Sequence, residues 1–300
     1  MMSGMPSASL VIPSLNRGRL LLETVESVLA GSEVPAEIIV IDQSETPNDD
    51  LARLSSPRCE VRYIHSDAVG TSRARNEGVR LGRHPLIGFI DDDVRVASDW
   101  LTAIVRAAVN AGPRAIITGR VMPERPATAD GFVPSTITDE APTEYAGRIG
   151  VDILYSNNMM LHRSAFEEVG MFDPRLGGGA PFPTAEDNDL AFRMLEAGYR
   201  IVYAPEAMVE HRAWRSGTDY LPLRWSYGRG QGAFYAKHFN LRDRYMLRRA
   251  GHDLSHNAAR MFRFLVRDPR RAAGQAVHLA GVSSAILQWL VTRPRQPTSP

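Results

Sequence analysis

Leu86-Ile87-Gly88-Phe89-Ile90-Asp91-Asp92-Asp93 is an apolar run that ends abruptly in three adjacent carboxylates. The run is short and rich in branched and aromatic side chains, which reads as a buried strand rather than a helix. Three like charges in a row repel one another, and folding gains nothing by gathering them at a strand end. A hard divalent cation, bound through oxygens and sharing its coordination sphere with a phosphate, would account for them. The competing reading is a solvated turn whose aspartates cap the next helix. That helix has its own cap, Ser98 or Asp99 before Trp100-Leu101, so the triplet is not needed for it.

Strands and helices alternate on both sides of this run. Ser9 to Ile12 reads as a first strand, closed by Pro13, and Leu20 to Leu29 as a helix stopped by Gly31. Glu37 to Ile41 is a second strand ending in Asp42, Asp49 to Leu54 a short helix, and Val61 to Ile64 a third strand. Gly70 opens a turn before a helix that reaches Leu81. Past the triplet, Trp100 to Ala111 reads as helical and Ile116-Ile117 as a strand. Pro123 to Gly147 has no clear period and reads as a long loop, the kind that usually serves as a lid or binding loop. The alternation implies an α/β fold with a doubly wound sheet. Ligands of such sheets lie beyond the carboxyl ends of the strands, where Asp42 and Asp91 both fall.

A chain of 300 residues has room for one large domain or two intimately packed ones. Its net charge of +1 gives no global field that would favour nucleic acid. The single cysteine, Cys59, excludes an intrachain disulfide and a thiolate zinc site, and fits a reducing compartment. The N-terminus has no basic segment followed by a long apolar one, so no signal peptide is expected. The longest apolar stretch, Val277 to Val291, is interrupted by His278, Ser283, Ser284 and Gln288. It falls short of the roughly 20 residues that a spanning helix needs. The expected location is cytoplasmic.

A second acidic station follows a glycine-rich stretch, Gly177-Gly178-Gly179-Ala180-Pro181-Phe182-Pro183, which leads into Thr184-Ala185-Glu186-Asp187. Thr184 can cap the helix that begins here. Acids in a first helical turn are expected from the dipole alone. The glycines before them add something else, because they let a ligand approach the backbone closely. A carboxylate at that mouth can act as a general base. Gly178, Gly179 and Asn158 are candidate acceptor contacts. Further on, Arg200 to Tyr203 reads as a strand, followed by Pro205 and then Val209-Glu210-His211; at a strand end the His211 imidazole can join the same cation site.

At this point the chain resembles a family 2 glycosyltransferase with the GT-A fold, a Rossmann-like, doubly wound mixed sheet. The resemblance rests on segments in the right order over about the first 212 residues: Val11-Ile12-Pro13-Ser14-Leu15-Asn16-Arg17, Ile41-Asp42-Gln43-Ser44, Ala74-Arg75-Asn76-Glu77-Gly78, Phe89 to Asp93, Gly170-Met171-Phe172-Asp173, and Glu186 to Leu190 through His211. It implies roles. Asp42 would bind the base of a nucleoside-diphosphate sugar donor, with Pro13, Ser14 and Asn16 beside base and ribose. Arg73 or Arg75 would contact the nucleotide. Asp91 and Asp93 form the Asp-x-Asp motif: Asp93 would ligate Mn2+ or Mg2+, Asp91 would sit near ribose and metal, and Asp92 would line the nucleotide site. His211 would be a further metal ligand. Asp187, paired with Glu186, would be the catalytic base of an inverting transfer to a carbohydrate or lipid-linked acceptor.

The implied organisation is a nucleotide-sugar half over 1–122, an acceptor half over 123–212 and a helical extension over 213–300. Processive members carry Gln-x-x-Arg-Trp. Here Leu221-Pro222-Leu223-Arg224-Trp225 has Leu at the Gln position, so one sugar per encounter is expected. In the extension, Tyr227-Gly228-Arg229-Gly230-Gln231-Gly232, then Lys237-His238, reads in two ways. It is a mobile flap bringing Arg229 and Lys237 over the donor diphosphate, or a solvated glycine-rich turn. Arg260, Arg263, Arg267, Arg270 and Arg271 alternate with Met261, Phe262, Phe264 and Leu265. Such a basic amphipathic helix rests on the inner face of a membrane or packs against a domain or a second subunit of a homo-oligomer. Two rival readings compete. A sugar-phosphate nucleotidyltransferase would carry a Gly-rich, Arg- and Lys-containing loop at the first strand, where only Gly18 stands nearby. An inactive carbohydrate-binding protein would not need all three acidic stations.

Overall fold

The computed structural model describes residues 6–125 and 131–292, so the loop expected over Pro123 to Gly147 lies partly outside the described residues. Residues 1–174 and 187–216 form one compact unit; residues 175–186 and 217–300 form a second. The first is built on a nine-stranded sheet. Its strands are β1 (Ala8–Ser14), β2 (Glu37–Asp42), β3 (Glu60–His65), β4 (Leu86–Ile90), β5 (Val94–Val96), β6 (Ala115–Pro123), β7 (Thr143–Ala146), β8 (Asn158–His162) and β9 (Arg200–His211). Its helices are α1 (Gly18–Leu29), α2 (Asp49–Ala52), α3 (Thr71–Leu81), α4 (Trp100–Ala111), α5 (Ser164–Val169) and α6 (Glu186–Glu196).

The order is β3-β2-β1-β4-β8-β6-β9-β5, with β7 also on β9. The four strands β3, β2, β1 and β4 run parallel. β8 lies antiparallel between β4 and β6, while β9 is parallel to β6. The sheet is mixed, as the family pattern implies. Alternation explains how it is covered. Leu10, Ile12, Ile38, Val40, Leu86 and Ile90 point to one face with α1 and α4. Val11, Ile87 and Phe89 point to the other, with α3, α5 and α6. Strands buried on both faces read as continuous apolar runs, and this is why β1, β2 and β4 were visible in the sequence.

Two strands differ from expectation. The Thr143–Ala146 segment was hidden in the expected loop because, as a short and mostly exposed edge, it has no apolar alternation. β9 continues past Pro205 to His211 instead of stopping at Tyr203. Its register with β6 slips between Gly119 and Arg120, where Ala204 and Met208 are successive partners. Pro205 therefore falls in a bulge, where a missing N–H costs no ladder bond.

The second unit contains α7 (Tyr220–His238), α8 (Tyr245–Phe264) and α9 (Pro269–Thr292). The glycine-rich stretch is neither a flap nor a turn: it lies inside α7, with Gly228, Gly230 and Gly232 buried. A Cβ on Gly228 would stand 2.2 Å from the His278 carbonyl oxygen, and one on Gly232 2.3 Å from that of Val282. Gly281 of α9 answers, since a Cβ there would lie 2.8 Å from the Trp225 carbonyl. Glycine is a poor helix former, yet here its lack of a side chain lets two backbones touch. Gly228→Ala is expected to destabilise the protein by about 1–3 kcal/mol, read as a lower midpoint in thermal or urea unfolding. An unchanged midpoint would mean that the α7–α9 seam is not as close as described. No helix among the described residues is long and apolar enough to cross a membrane.

Candidate active site

The backbone of the Asp triplet is held before its side chains are. β4 ends at Ile90, and the three aspartates make the turn into β5. The Thr24 hydroxyl of α1 contacts the carbonyls of Asp92 (2.9 Å) and Val94 (2.8 Å), and the Asp93 carbonyl accepts from Arg212 N at 2.8 Å. From this clamp the three carboxylates go separate ways. Asp92 is buried and accepts from Ser14 Oγ at 2.7 Å. Burial, and then the adjacent Asp93 charge, push its carboxyl up to about 7. Asp93 is also buried, and its Oδ2 takes an ion pair from Arg17. Burial alone would raise its pKa, but the neighbouring His211 and the charge of Arg17 hold it below the usual carboxylate range.

His211, at the end of β9, lies opposite Val94 in the β5 register. Its Nδ1 is 3.1 Å from the Pro134 carbonyl. A carbonyl only accepts, so Nδ1 carries the hydrogen and Nε2 is turned toward Asp93 Oδ1, 3.2 Å away. Oδ1 is buried and has no aligned hydrogen-bond donor. In a neutral imidazole these atoms oppose two lone pairs, an arrangement that calls for a proton or a cation. Burial alone would lower the His211 pKa, yet the charges of Asp93 and Asp91 raise it. Asp91, Asp93 and His211 offer ligand atoms that all lie within 4.8 Å of one another. Two carboxylate oxygens and an imidazole nitrogen fit a divalent cation such as Mn2+.

Arg75 ties this station to the second one. The side chain is buried, with Nη2 2.9 Å from Asp91 Oδ1 and Nη1 3.8 Å from Asp187 Oδ1. Its guanidinium lies over the Phe172 ring at 5.5 Å. The neighbouring Asn76 brackets the Phe172 backbone, donating to its carbonyl (2.8 Å) and accepting from its N–H (3.0 Å). Two segments distant in sequence thus hold each other around one cation. Asp187 sits in the first turn of α6, and its Oδ2 accepts from Ser156 N at 3.2 Å. Glu186, which opens α6, is half-buried.

Of the two arginines offered by the sequence, Arg75 enters the cluster and Arg73 is exposed. The signal was there: Gly78, three positions on, packs so tightly that a Cβ would stand 2.3 Å from Val11 Cγ1. Arg75 shares that inward face. Arg17, quoted in the first motif without a role, was missed as the ion-pair partner of Asp93.

The wall expected at the base and ribose is made where β1 and β2 end in register, Pro13 opposite Ile41 and Ser14 opposite Asp42. Asn16 adopts φ 56°, tolerable for asparagine; its N–H donates to Ser44 Oγ at 2.7 Å and its Oδ1 accepts from Glu45 N at 3.2 Å. Asp42 is only 1% exposed; it accepts from Tyr63 Oη at 2.7 Å and Ser44 N at 3.0 Å. It shapes the wall from within.

Other expectations change. Asn158, an expected acceptor contact, is buried: it accepts from Trp100 Nε1 at 2.8 Å and donates to the Arg120 (3.0 Å) and Ala207 (2.7 Å) carbonyls. Its amide is spent on the scaffold. Arg229, an expected diphosphate contact, lies on α7 and donates to the Pro181 carbonyl and to Gln288 Oε1. Lys237 is in the last turn of that helix. The Thr184 hydroxyl, the expected cap, donates to the Ser226 carbonyl at 3.1 Å. The glycine loop is a closed turn, with Gly177 N donating to Phe182 O at 2.9 Å and Ala180 N to Gly177 O at 3.0 Å, while Gly178 and Gly179 remain exposed.

Comparison with known proteins bears on the family and the fold. The family model described as Glycosyl transferase family 2 matches residues 9–170, more than half of the chain. A glucosyl-dolichyl phosphate glucuronosyltransferase of Haloferax volcanii is 26% identical over 226 residues, covering 69% of this chain and 69% of that protein. A pre-mycofactocin glycosyltransferase of Mycobacterium tuberculosis is 28% identical over 241 residues, 77% of this chain and 48% of its own length. The chain therefore spans about half of that relative. Among solved structures, a mannosyltransferase of Pyrobaculum calidifontis in complex with GDP-Man and Mn2+ superposes with a TM-score of 0.64 at 15% identity, over 95% of this chain and 88% of that one. TarS 1-349 of S. aureus, in complex with UDP, gives 0.54 at 12% identity, over 97% and 93%. The fold is GT-A.

Proposed function

This chain belongs to glycosyl transferase family 2 and is a glycosyltransferase, and from that premise we propose that it moves one sugar from a nucleoside-diphosphate sugar to a hydroxyl acceptor with inversion, Asp187 acting as general base. The observation that carries this reading is the buried Arg75 guanidinium between Asp91 and Asp187. It brings a leaving-group station and a nucleophile station to one place. Family membership sets aside the nucleotidyltransferase reading. The presence of both stations around one cation speaks against an inactive binding protein.

In the proposed reaction, the acceptor hydroxyl hydrogen-bonds to the Asp187 carboxylate. Its proton passes to Asp187 as the oxygen attacks the anomeric carbon. The bond from that carbon to the diphosphate oxygen breaks, and the diphosphate leaves with the electron pair. One displacement inverts the configuration. Ser156 N–H fixes the orientation of Asp187, and Arg75 places a positive charge beside it. Asp91, Asp93 and His211 would hold a divalent cation, Mn2+ or Mg2+, which supplies positive charge against the departing diphosphate. Arg17 holds Asp93, and Ser14 holds Asp92 away from the ligand set. Glu186 is the second acid of the base station. Donor base and ribose would lie on the wall of Pro13, Ser14, Asn16 and Ser44. The acceptor is a carbohydrate or a lipid-linked glycan, the latter supported by the dolichyl-linked name of the archaeal relative.

Thermal unfolding against UDP, dTDP and GDP, with and without Mn2+ or Mg2+, tests the donor half. A ligand at one hundred times its Kd stabilises the folded state by about 2.7 kcal/mol. A rise in midpoint that needs the cation, with one of the three, is the expected result. No shift with any of them, in folded protein, would overturn the reading.

A further inference from the structure

We propose that the tip of the α8–α9 hairpin is a docking surface for an anionic lipid membrane, with an apolar wedge of Phe262, Leu265 and Val266 inside a collar of arginines. The surface lies wholly within the second unit and does not rest on the glycosyl-transfer reading. Phe262 is 68% exposed, Leu265 59% and Val266 90%. Isolated exposed apolar residues are ordinary, but three within five positions at the end of a hairpin form a contiguous patch. They are not core residues that slipped outward: the buried residues of α8 are Met246 and Asn257, and those of α9 include Ala272, Gln275, His278 and Val282.

Charge selects the occupant. Residues 241–292 carry nine arginines against three aspartates, whereas the whole chain has a net charge of only +1. Around the wedge stand Arg260, Arg263, Arg267, Arg270 and Arg271, and the one acid is Asp268. Arg271 is paired with Asp268 at 3.1 Å, and Arg270 donates to the Gly217 carbonyl. Arg263 and Arg267 have no such partner among the described residues. Arg263 stands within the wedge segment, between Phe262 and Leu265, and Arg267 directly follows Val266. A second copy of the chain docking through the same patch would set arginine against arginine. An anionic bilayer satisfies both halves, headgroups taking the collar and acyl chains the wedge.

Flotation of the full chain tests this, with vesicles of phosphatidylcholine alone and of phosphatidylcholine mixed with phosphatidylglycerol. Wild-type protein is expected to float with the anionic vesicles at low salt, much less at high salt, and not with neutral ones. Arg263→Ala with Arg267→Ala should weaken binding roughly thirtyfold, about a kilocalorie per arginine near the surface. Phe262→Ser with Val266→Ser, at exposed positions that leave folding intact, should weaken it roughly tenfold or more by removing the apolar contribution. Wild-type protein that stays at the bottom with anionic vesicles overturns the proposal. So does equal flotation with neutral vesicles, or variants that float like wild type. A dimer in size-exclusion that the serine variant dissolves, without flotation, would assign the patch to a second copy instead.

Discussion

Asp187→Asn will remove turnover by roughly 10²–10⁴-fold, the range for a positioned general base, and will leave nucleoside-diphosphate binding in place. The amide keeps the shape of the side chain, and its oxygen still accepts the Ser156 N–H seen at 3.2 Å. What it loses is the capacity to take a proton. The proposed donor wall and cation ligands are separate residues, and Arg75 links Asp187 to Asp91. Initial rates at saturating donor, set beside the cation-dependent thermal shift, separate the two effects. A variant that turns over like wild type would show that another group is the base. Loss of the thermal shift along with turnover would show that Asp187 belongs to the donor site.

Asp93→Asn will abolish the cation-dependent shift, with turnover falling by about 10²–10⁴-fold if the cation supplies several kcal/mol to the leaving group. Asp93 is the only one of the three aspartates that faces both Arg17 and His211. Removing its charge leaves a half-buried arginine and a histidine with nothing negative between them. Asp92→Asn is the control. That carboxyl already sits near 7 and takes its bond from Ser14 Oγ, so an amide in its place should keep the Mn2+ shift. If both variants lose the shift equally, the division of labour within the triplet is wrong. If Asp93→Asn keeps it, the ligand set itself is wrong.

The triplet was legible because three adjacent charges after an apolar run have few structural excuses. The parallel half of the sheet was legible for a related reason: strands buried on both faces leave unbroken apolar runs such as Leu10-Val11-Ile12 and Ile38 to Ile41. What stayed hidden depends on contacts between distant segments. Nothing in the local sequence says that Asn158 will spend its amide on Trp100, Arg120 and Ala207. A strand that crosses Pro205 can be understood only once the bulge opposite Gly119 is seen. The glycines of α7 misled for a physical reason. Local propensity speaks against a helix, and the close approach of α9 overrides it. Arg75 was half legible, since its helical phase with Gly78 marks it as inward-facing, but its two carboxylate partners come from elsewhere in the chain.

A single buried guanidinium serves both Asp91 and Asp187, and this bears on how such a site changes over generations. If either acid is lost, a cation remains in a poorly hydrated place with part of its compensation gone. The stability cost falls on the fold as well as on catalysis. Substitutions at the three positions will not be independent, because each alters what the other two are worth. A lineage that gives up the chemistry while keeping the scaffold is under pressure to replace Arg75 together with its acids. A chain of this architecture that retains the arginine but lacks one of the acids should carry a new negative group close by.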